Sequence, residues 1–213
     1  MSYIDKISTS HLDVLKEIGN IGAGNAATSL SMILDKKIEM KVPNVRMATF
    51  NEMIELAGGA ENIVASVYLR VEGDALCHMF FVLPLEQGNT YIQQMIGDSN
   101  FSFETLPYDE MATSALQELG NILAGSYLSS LCDFTGLTLY QSVPATSIDM
   151  LGAIISYGFI ELSQFSDYVI VIDTALNETN TEAVESVDGH FFLLPDPESF
   201  DIIFHSLGVA LDE

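Results

Sequence analysis

One segment occurs twice in this chain. From Asp13 it reads DVLKEIGNIGAGNAATSLSMIL, and from Ser114 it reads SALQELGNILAGSYLSSLCDF. Setting Glu17 on Glu118 also sets Gly19 on Gly120, Asn20 on Asn121, Ile21 on Ile122 and Gly24 on Gly125. A proline stands twenty-three residues beyond each asparagine, Pro43 and Pro144, so the register survives into the following segment. A chain that repeats itself in this way is constrained to two similar halves packed on one another. We expect a single domain over residues 1–213 with halves at about 9–98 and 109–210.

Both copies read as helices, the first from about His11 to about Leu34 with Ser8, Thr9 and Ser10 as N-cap candidates, the second from about Asp109 to Phe134. Asp13, Glu17 and Asn20 fall at i, i+4 and i+7, as do Ser114, Glu118 and Asn121, which places three polar side chains on one face. Leu12, Leu15, Ile18 and Ile21, with Leu116, Leu119, Ile122 and Leu123, supply the packing stripe. Gly19, Gly22 and Gly24 each cost about 1 kcal/mol of helix propensity against alanine. Either a docked partner or tight internal packing must offset that cost, and spacing does not choose between them.

The remaining elements repeat in order. In the first half, Lys37–Met47 is a strand interrupted by Pro43, hence at an edge or a bulge. Asn51–Leu56 is a short helix before Gly58 and Gly59, Asn62–Val71 and Ala75–Leu83 form a hairpin, and Leu85–Ile96 is a helix stopped by Gly97. Asp98–Tyr108 links the halves. In the second half we expect a strand at Leu137–Val143, a helix from about Asp149 to Gln164 capped by Asp149, strands at Tyr168–Ala175 and Val187–Leu194, and a helix at Pro197–Leu207. HMFFVLP from His78 matches HFFLLP from His190 with one residue deleted, and LNETNTEAVESV from Leu176 reads as an extended solvent loop. The fold class is therefore α+β, internally duplicated with a pseudo-two-fold axis, an antiparallel β-sheet core flanked by helices and strands pairing across the axis.

Apolar content is 48%, but no apolar run is long enough to span a bilayer, so membrane insertion is not expected. Thirty acidic residues against seven basic ones give a formal charge of −23, which argues against nucleic acid and anionic membrane and favours a basic protein partner. Cys77 and Cys132 lack metal-ligand spacing, and MSYIDKISTS lacks the regions of a signal peptide. Reduced thiols in the cytoplasm are the expectation.

P-loop, HExxH, C-x-x-C and G-x-S-x-G motifs are absent, so no self-contained hydrolase or metal site announces itself. Gly22–Ala27 resembles a G-x-G-x-x-A dinucleotide fingerprint, but a helical segment stands where that motif needs a strand. His78 and His190 occupy matched positions in the repeat and are read as structural; His11 and His205 have no partner visible in the sequence. That leaves the doubled polar strip. An asparagine amide holds no useful proton affinity, yet it positions a water with one donor and one acceptor, and a glutamate can ion-pair with a docked lysine or arginine. A single strip of this kind would be an ordinary solvated helix face. Two copies, each with its proline, point to function.

At these residues the chain resembles the CheC family of bacterial chemotaxis phosphatases, whose relatives include CheX and FliY. The family motif is Asp or Ser, three residues, Glu, two residues, Asn, twenty-two residues, Pro. It is met at Asp13, Glu17, Asn20 and Pro43, and again at Ser114, Glu118, Asn121 and Pro144. The resemblance implies hydrolysis of the aspartyl-phosphate of the response regulator CheY, which itself supplies Mg²⁺ and a lysine, so that this chain needs no cofactor or metal of its own. Asn20 and Asn121 would position the attacking water, Glu17 and Glu118 would hold the regulator's lysine, and Asp13, Pro43, Ser114 and Pro144 would support them, with the glycines as a bare surface for docking. Two motif copies place the chain nearer the two-copy members than the one-copy, dimerising ones. Its length suits a stand-alone monomer. The resemblance also implies the receptor deamidase CheD as a second partner. The rival reading is a non-catalytic binding module that sequesters CheD or phosphorylated CheY.

Overall fold

The structure is a computed structural model and describes residues 7–162, 168–178 and 189–208. Helix α1 (Thr9–Leu34) leads into two short strands, β1 (Ile38–Lys41) and β2 (Val45–Thr49), then helix α2 (Phe50–Leu56). The hairpin β3 (Ile63–Gly73) and β4 (Cys77–Pro84) and helix α3 (Leu85–Ile96) follow. The same order then recurs as α4 (Glu110–Thr135), β5 (Leu139–Gln141), β6 (Ala145–Met150), α5 (Leu151–Leu162), β7 (Tyr168–Glu178), β8 (Gly189–Pro195) and α6 (Pro197–Ser206).

Among the described residues eight strands make one antiparallel sheet in the order β1-β7-β8-β4-β3-β5, with β2 also on β7 and β6 also on β3. Read from either end, the order exchanges β1 with β5, β7 with β3 and β8 with β4, as a pseudo-two-fold requires. The first motif's strands β1 and β2 pair with β7, and the second motif's strands β5 and β6 pair with β3. Each motif proline is therefore framed by a strand from the other copy of the repeat.

Both faces of the sheet are covered, which explains why β4 reads as a near-continuous apolar run. Cys77, Met79, Phe81 and Leu83 face the large core beneath α1, α3, α4 and α6, while Phe80 and Val82 face a smaller core with Met53 of α2 and Leu151 of α5. Burial pushes the Cys77 thiol up to about 12, with the nearby Asp196 charge adding to the effect.

The central β4–β8 pair corrects the sequence match. Phe81 pairs with Phe191, their rings stack at 4.7 Å, and both face the large core, whereas Phe80 and Phe192 face the other. Strand side chains alternate with a period of two, so matching Phe80 to Phe191 would place equivalent residues on opposite faces. The structural equivalent of Phe191 is Phe81, and His78 and His190 do not occupy matched positions. His78 Nδ1 lies 2.8 Å from the Tyr68 hydroxyl, and His190 Nδ1 lies 2.9 Å from Asp173 Oδ1.

The helix expected from Asp149 begins only at Leu151, because Ala145–Met150 pairs with β3 as strand β6. Asp149 is not a helix cap. It sits opposite Val64 in the ladder, and its carboxylate accepts a hydrogen bond from the Met150 N–H at 2.7 Å. Thr146 and Ile148 turn one way and Ala145, Ser147 and Asp149 the other, a period-two pattern too polar to stand out in the sequence. β5 is also shorter than expected, and the Asp98–Tyr108 segment is tied down by the buried Phe103, whose N–H donates to Asn89 Oδ1 at 2.9 Å. Leu176, Asn177 and Glu178, expected in the solvent loop, instead extend β7 and pair with Met40, Glu39 and Ile38 of β1. The rest of that loop, the strand start at Val187 and the helix end at Gln164 lie outside the described residues.

Candidate active site

Helix α4 is capped by Asp109, whose Oδ1 accepts from the N–H groups of Met111 and Ala112 at 2.6 and 3.3 Å. That cap meets backbone donors which helix geometry leaves unpaired, and so sets the frame from which Ser114, Glu118 and Asn121 project. Ser114 and Glu118 are exposed, and Asn121 is half-buried. Together with Gln117, Gln141, Ser142, Val143 and Pro144 they line an open cleft of about 410 Å³.

Asn121 is held by one neighbour. Gln141 Nε2 donates to Asn121 Oδ1 at 2.6 Å, and among the described residues the Asn121 Nδ2 group makes no hydrogen bond. Gln141 is itself placed by the sheet: it pairs with Val71, and the next residue is fastened twice to Arg70. The Ser142 N–H donates to the Arg70 carbonyl at 2.8 Å, and the Arg70 N–H donates to Ser142 Oγ at 3.0 Å.

The first copy brings the same motif together differently. α1 is capped at Ser8, whose N–H donates to His11 Nδ1 at 2.9 Å, and the buried His11 ring meets Phe204 edge-on at 4.8 Å. His11 thus has the partners its sequence context did not reveal. Asp13 and Glu17 are exposed and Asn20 is half-buried, as at the second copy. Asn20, however, is clamped by backbone. Its Oδ1 accepts from the Val42 N–H at 2.9 Å, and its Nδ2 donates to the Lys16 carbonyl at 3.0 Å and the Val42 carbonyl at 3.4 Å. An asparagine amide has two N–H donors, and both are engaged here.

The glycines explain part of this difference. A Cβ at Gly19 would lie 3.3 Å from Val42 Cγ2, so the bare helix surface admits Val42 close to Asn20. A Cβ at Gly22 would lie 3.0 Å from Tyr127 Cα, where α1 crosses α4, and one at Gly120 would overlap Val67 of β3. These three glycines serve internal packing. Only Gly24 among the α1 glycines faces open space, so the expected bare docking surface shrinks to that residue. Ile21, expected in the packing stripe, is 40% exposed.

Two residues at these sites escaped the motif, Val42 and Gln141. A signal was available for Gln141: the repeat sets it against Met40, a polar residue against a buried apolar one at equivalent strand positions. Val42 acts through its peptide group, which no residue pattern marks.

The strands that follow the prolines are also anchored differently. Arg46 of β2 forms a two-pronged ion pair with the buried Asp173 of β7, and His190 closes the cluster. Burial works to raise the Asp173 carboxyl, but the His190 and Arg46 hydrogen bonds and charges prevail and hold it below the usual aspartate range. At the other copy, β6 is held to β3 by its ladder and by Ser66 Oγ donating to the Ser147 carbonyl at 3.2 Å. Among the described residues no group of three or more His, Cys, Asp or Glu is arranged to hold a metal ion, and no helix is long and apolar enough to cross a membrane.

Comparison with known proteins follows the same two segments. A model of the CheC-like family matches residues 11–47 and 111–148, each running from the polar helix face past its proline. The chain is 45% identical to the Bacillus subtilis (strain 168) protein named CheY-P phosphatase CheC, over 99% of this chain and 100% of that one. It is 29% identical to the flagellar motor switch phosphatase FliY of the same organism, over 60% of this chain and 33% of that one. The crystal structure of Thermotoga maritima FliY shares the fold, with a TM-score of 0.73 at 22% identity over 95% of this chain and 98% of that one. On the full-length likeness and the two matched motif segments, this chain belongs to the CheC-like family.

Proposed function

We propose that this protein hydrolyses the aspartyl-phosphate of a CheY-type response regulator, and that the cleft formed by Glu118, Asn121 and Pro144 carries most of the turnover. The observation that carries the reading is an open cleft in which an asparagine, fixed through its oxygen, keeps its Nδ2 group unbonded beside an exposed glutamate. The likeness to a relative named CheY-P phosphatase CheC supplies the substrate class.

In this reading Glu118 pairs with a lysine at the regulator's active site, which sets the register of the docked pair. Asn121 then holds a water in line with phosphorus. The water oxygen bonds to phosphorus as the bond to the aspartyl oxygen breaks, the aspartate carboxylate is regenerated, and the water's protons leave with inorganic phosphate and solvent. Asn121 takes no proton; its contribution is orientation, which suffices for a reaction dominated by positioning. The divalent cation that neutralises the phosphoryl oxygens is proposed to arrive with the regulator. Glu17 and Asn20 form an equivalent pair that reaches the same geometry only when Val42 releases the Asn20 amide. On the family resemblance alone, the proposal extends to the receptor deamidase CheD as a second protein partner.

The test is the decay of a phosphorylated CheY-type regulator with Mg²⁺ present, on addition of wild type, Asn20→Ala, Asn121→Ala and the double variant. Faster decay with wild type, lost in the double variant while binding persists, is expected. Binding by wild type with no change in decay would identify a binding module instead.

A further inference from the structure

The motif names four positions in each copy, and Gln141 is not among them. Its amide nonetheless makes the one hydrogen bond found on the Asn121 side chain among the described residues, at 2.6 Å, and it lines the cleft. From this geometry we infer that Gln141 is a positioning residue for Asn121, holding the asparagine oxygen so that the Nδ2 group is the part offered to the attacking water.

Three observations converge on this role. β5 alternates a buried Leu139, an exposed Tyr140 and a half-buried Gln141, so Gln141 points to the same side as Leu139, towards α4. The strand is a firm mount, since Gln141 pairs with Val71 and Ser142 is bonded twice to Arg70. Finally, Gln141 Oε1 is buried without a hydrogen-bond partner, so the Asn121 contact is what orients the glutamine amide, and the two amides fix each other. A buried polar atom left unpaired beside a functional group is a feature that packing alone does not explain.

The first copy shows what the arrangement replaces. Met40 occupies the position equivalent to Gln141 and cannot donate, and there the Val42 peptide takes the asparagine oxygen and one of its amide hydrogens together. A side-chain donor at 141 holds the oxygen and leaves both amide hydrogens available. At the second copy Val143 is 80% exposed and among the described residues no hydrogen bond joins its backbone to the Asn121 side chain, whereas Val42 is 1% exposed. Gln141 thereby keeps the second asparagine ordered and competent at once.

This inference rests on the phosphatase reading of the same cleft, and the experiment separates the two. In an Asn20→Ala background, where turnover reports the second cleft alone, Gln141→Met and Gln141→Glu are compared with Gln141 for hydrolysis of the phosphorylated regulator. Methionine copies Met40 and donates nothing; glutamate accepts and draws the Asn121 amide hydrogens towards itself. Both are expected to lower kcat by about tenfold, the scale of a lost orientation effect, with KM and the thermal midpoint unchanged. The Asn121 side-chain amide signals in a ¹H–¹⁵N spectrum, identified by their loss in Asn121→Ala, should shift in both variants. Retention of full kcat by Gln141→Met, or unmoved Asn121 signals, overturns the positioning role alone. A fall in kcat matched by a fall in thermal midpoint assigns Gln141 to packing and overturns it too. Absence of turnover in the Asn20→Ala chain itself overturns the phosphatase reading of this cleft, and the positioning role with it.

Discussion

The two copies of the motif carry the same glutamate, asparagine and proline on equivalent elements, yet their asparagines are in opposite states. Asn20 is closed by the Val42 peptide with both amide hydrogens used, whereas Asn121 is held by a side chain through its oxygen and keeps its amide hydrogens. The difference arises one layer behind the motif. Gly19 admits Val42 to the helix surface, while at the second copy β5 ends at Gln141 and Val143 turns outward. Equal motifs therefore do not make equal sites, because an asparagine's availability depends on which backbone can reach it.

The two sites should differ most in turnover. Asn121→Ala is expected to slow regulator dephosphorylation by about a hundredfold at the second site, and the whole protein is expected to lose most of its activity, since misplacing an oriented group costs on that scale. Asn20→Ala should leave most of the turnover in place, a loss well under about twofold. A phosphatase assay in which the two variants lose equally would show that the Val42 clamp opens freely when the regulator docks.

The anchoring of the strands makes a second contrast. Because the folded Asp173 carboxyl lies below its ordinary 3.8, it binds its proton less readily than in the unfolded chain. Its contribution is therefore complete above the ordinary aspartate range and is lost as pH falls through the depressed folded value. Asp173→Asn should lower stability at neutral pH by about 1.5–3 kcal/mol, the scale of hydrogen bonds to charged groups, and flatten the acid limb of a denaturation series. Ser66→Ala, at the neutral anchor of β6, should leave the acid limb unchanged.

The equivalent glycines under the two helices are packed to different degrees. Gly120→Ala forces a methyl into Val67 and should destabilise by about 1–3 kcal/mol, as overpacking does. Gly19→Ala meets Val42 at a distance that a small shift relieves, and gains about 1 kcal/mol of helix propensity, so it should be near neutral in urea denaturation. If the shift loosens Val42 from Asn20, the same variant should raise turnover in an Asn121→Ala background.

The smallest contrast is between the two valines. Val42→Ala removes buried methyls and should cost about 1.5 kcal/mol, whereas Val143→Ala, at an exposed position, should stay within about 0.5 kcal/mol. Equal costs in denaturant would mean that Val143 is covered in solution, which would contradict the open cleft.

Much of this protein is legible in its residues. Helix periodicity, N-cap chemistry and the glycine at 97 mark the helix ends within a residue or two, and the prolines mark where the edge strands break. The hairpins are visible because strands covered on both faces are continuously apolar. β6 was hidden because an edge strand with one exposed face needs few apolar residues, and ATSIDM supplies only weak alternation. The stagger of β4 against β8 was hidden for another reason: two adjacent phenylalanines in each strand match equally well in registers that differ by one, and only the choice of face decides.

By itself the sequence determined the internal repeat, the α+β class, the polar strip on each long helix and the residues from which the candidate chemistry is drawn. These follow from local spacing, since a helix places i, i+4 and i+7 on one face whatever surrounds it. Tertiary structure alone decided that each motif proline is framed by strands of the other copy, that Asn20 is closed and Asn121 open, and that Gln141 meets Asn121. Those outcomes depend on peptide groups and strand registers brought together from distant parts of the chain. A backbone N–H such as that of Val42 is present at almost every residue, and nothing in its side chain records which acceptor it will meet.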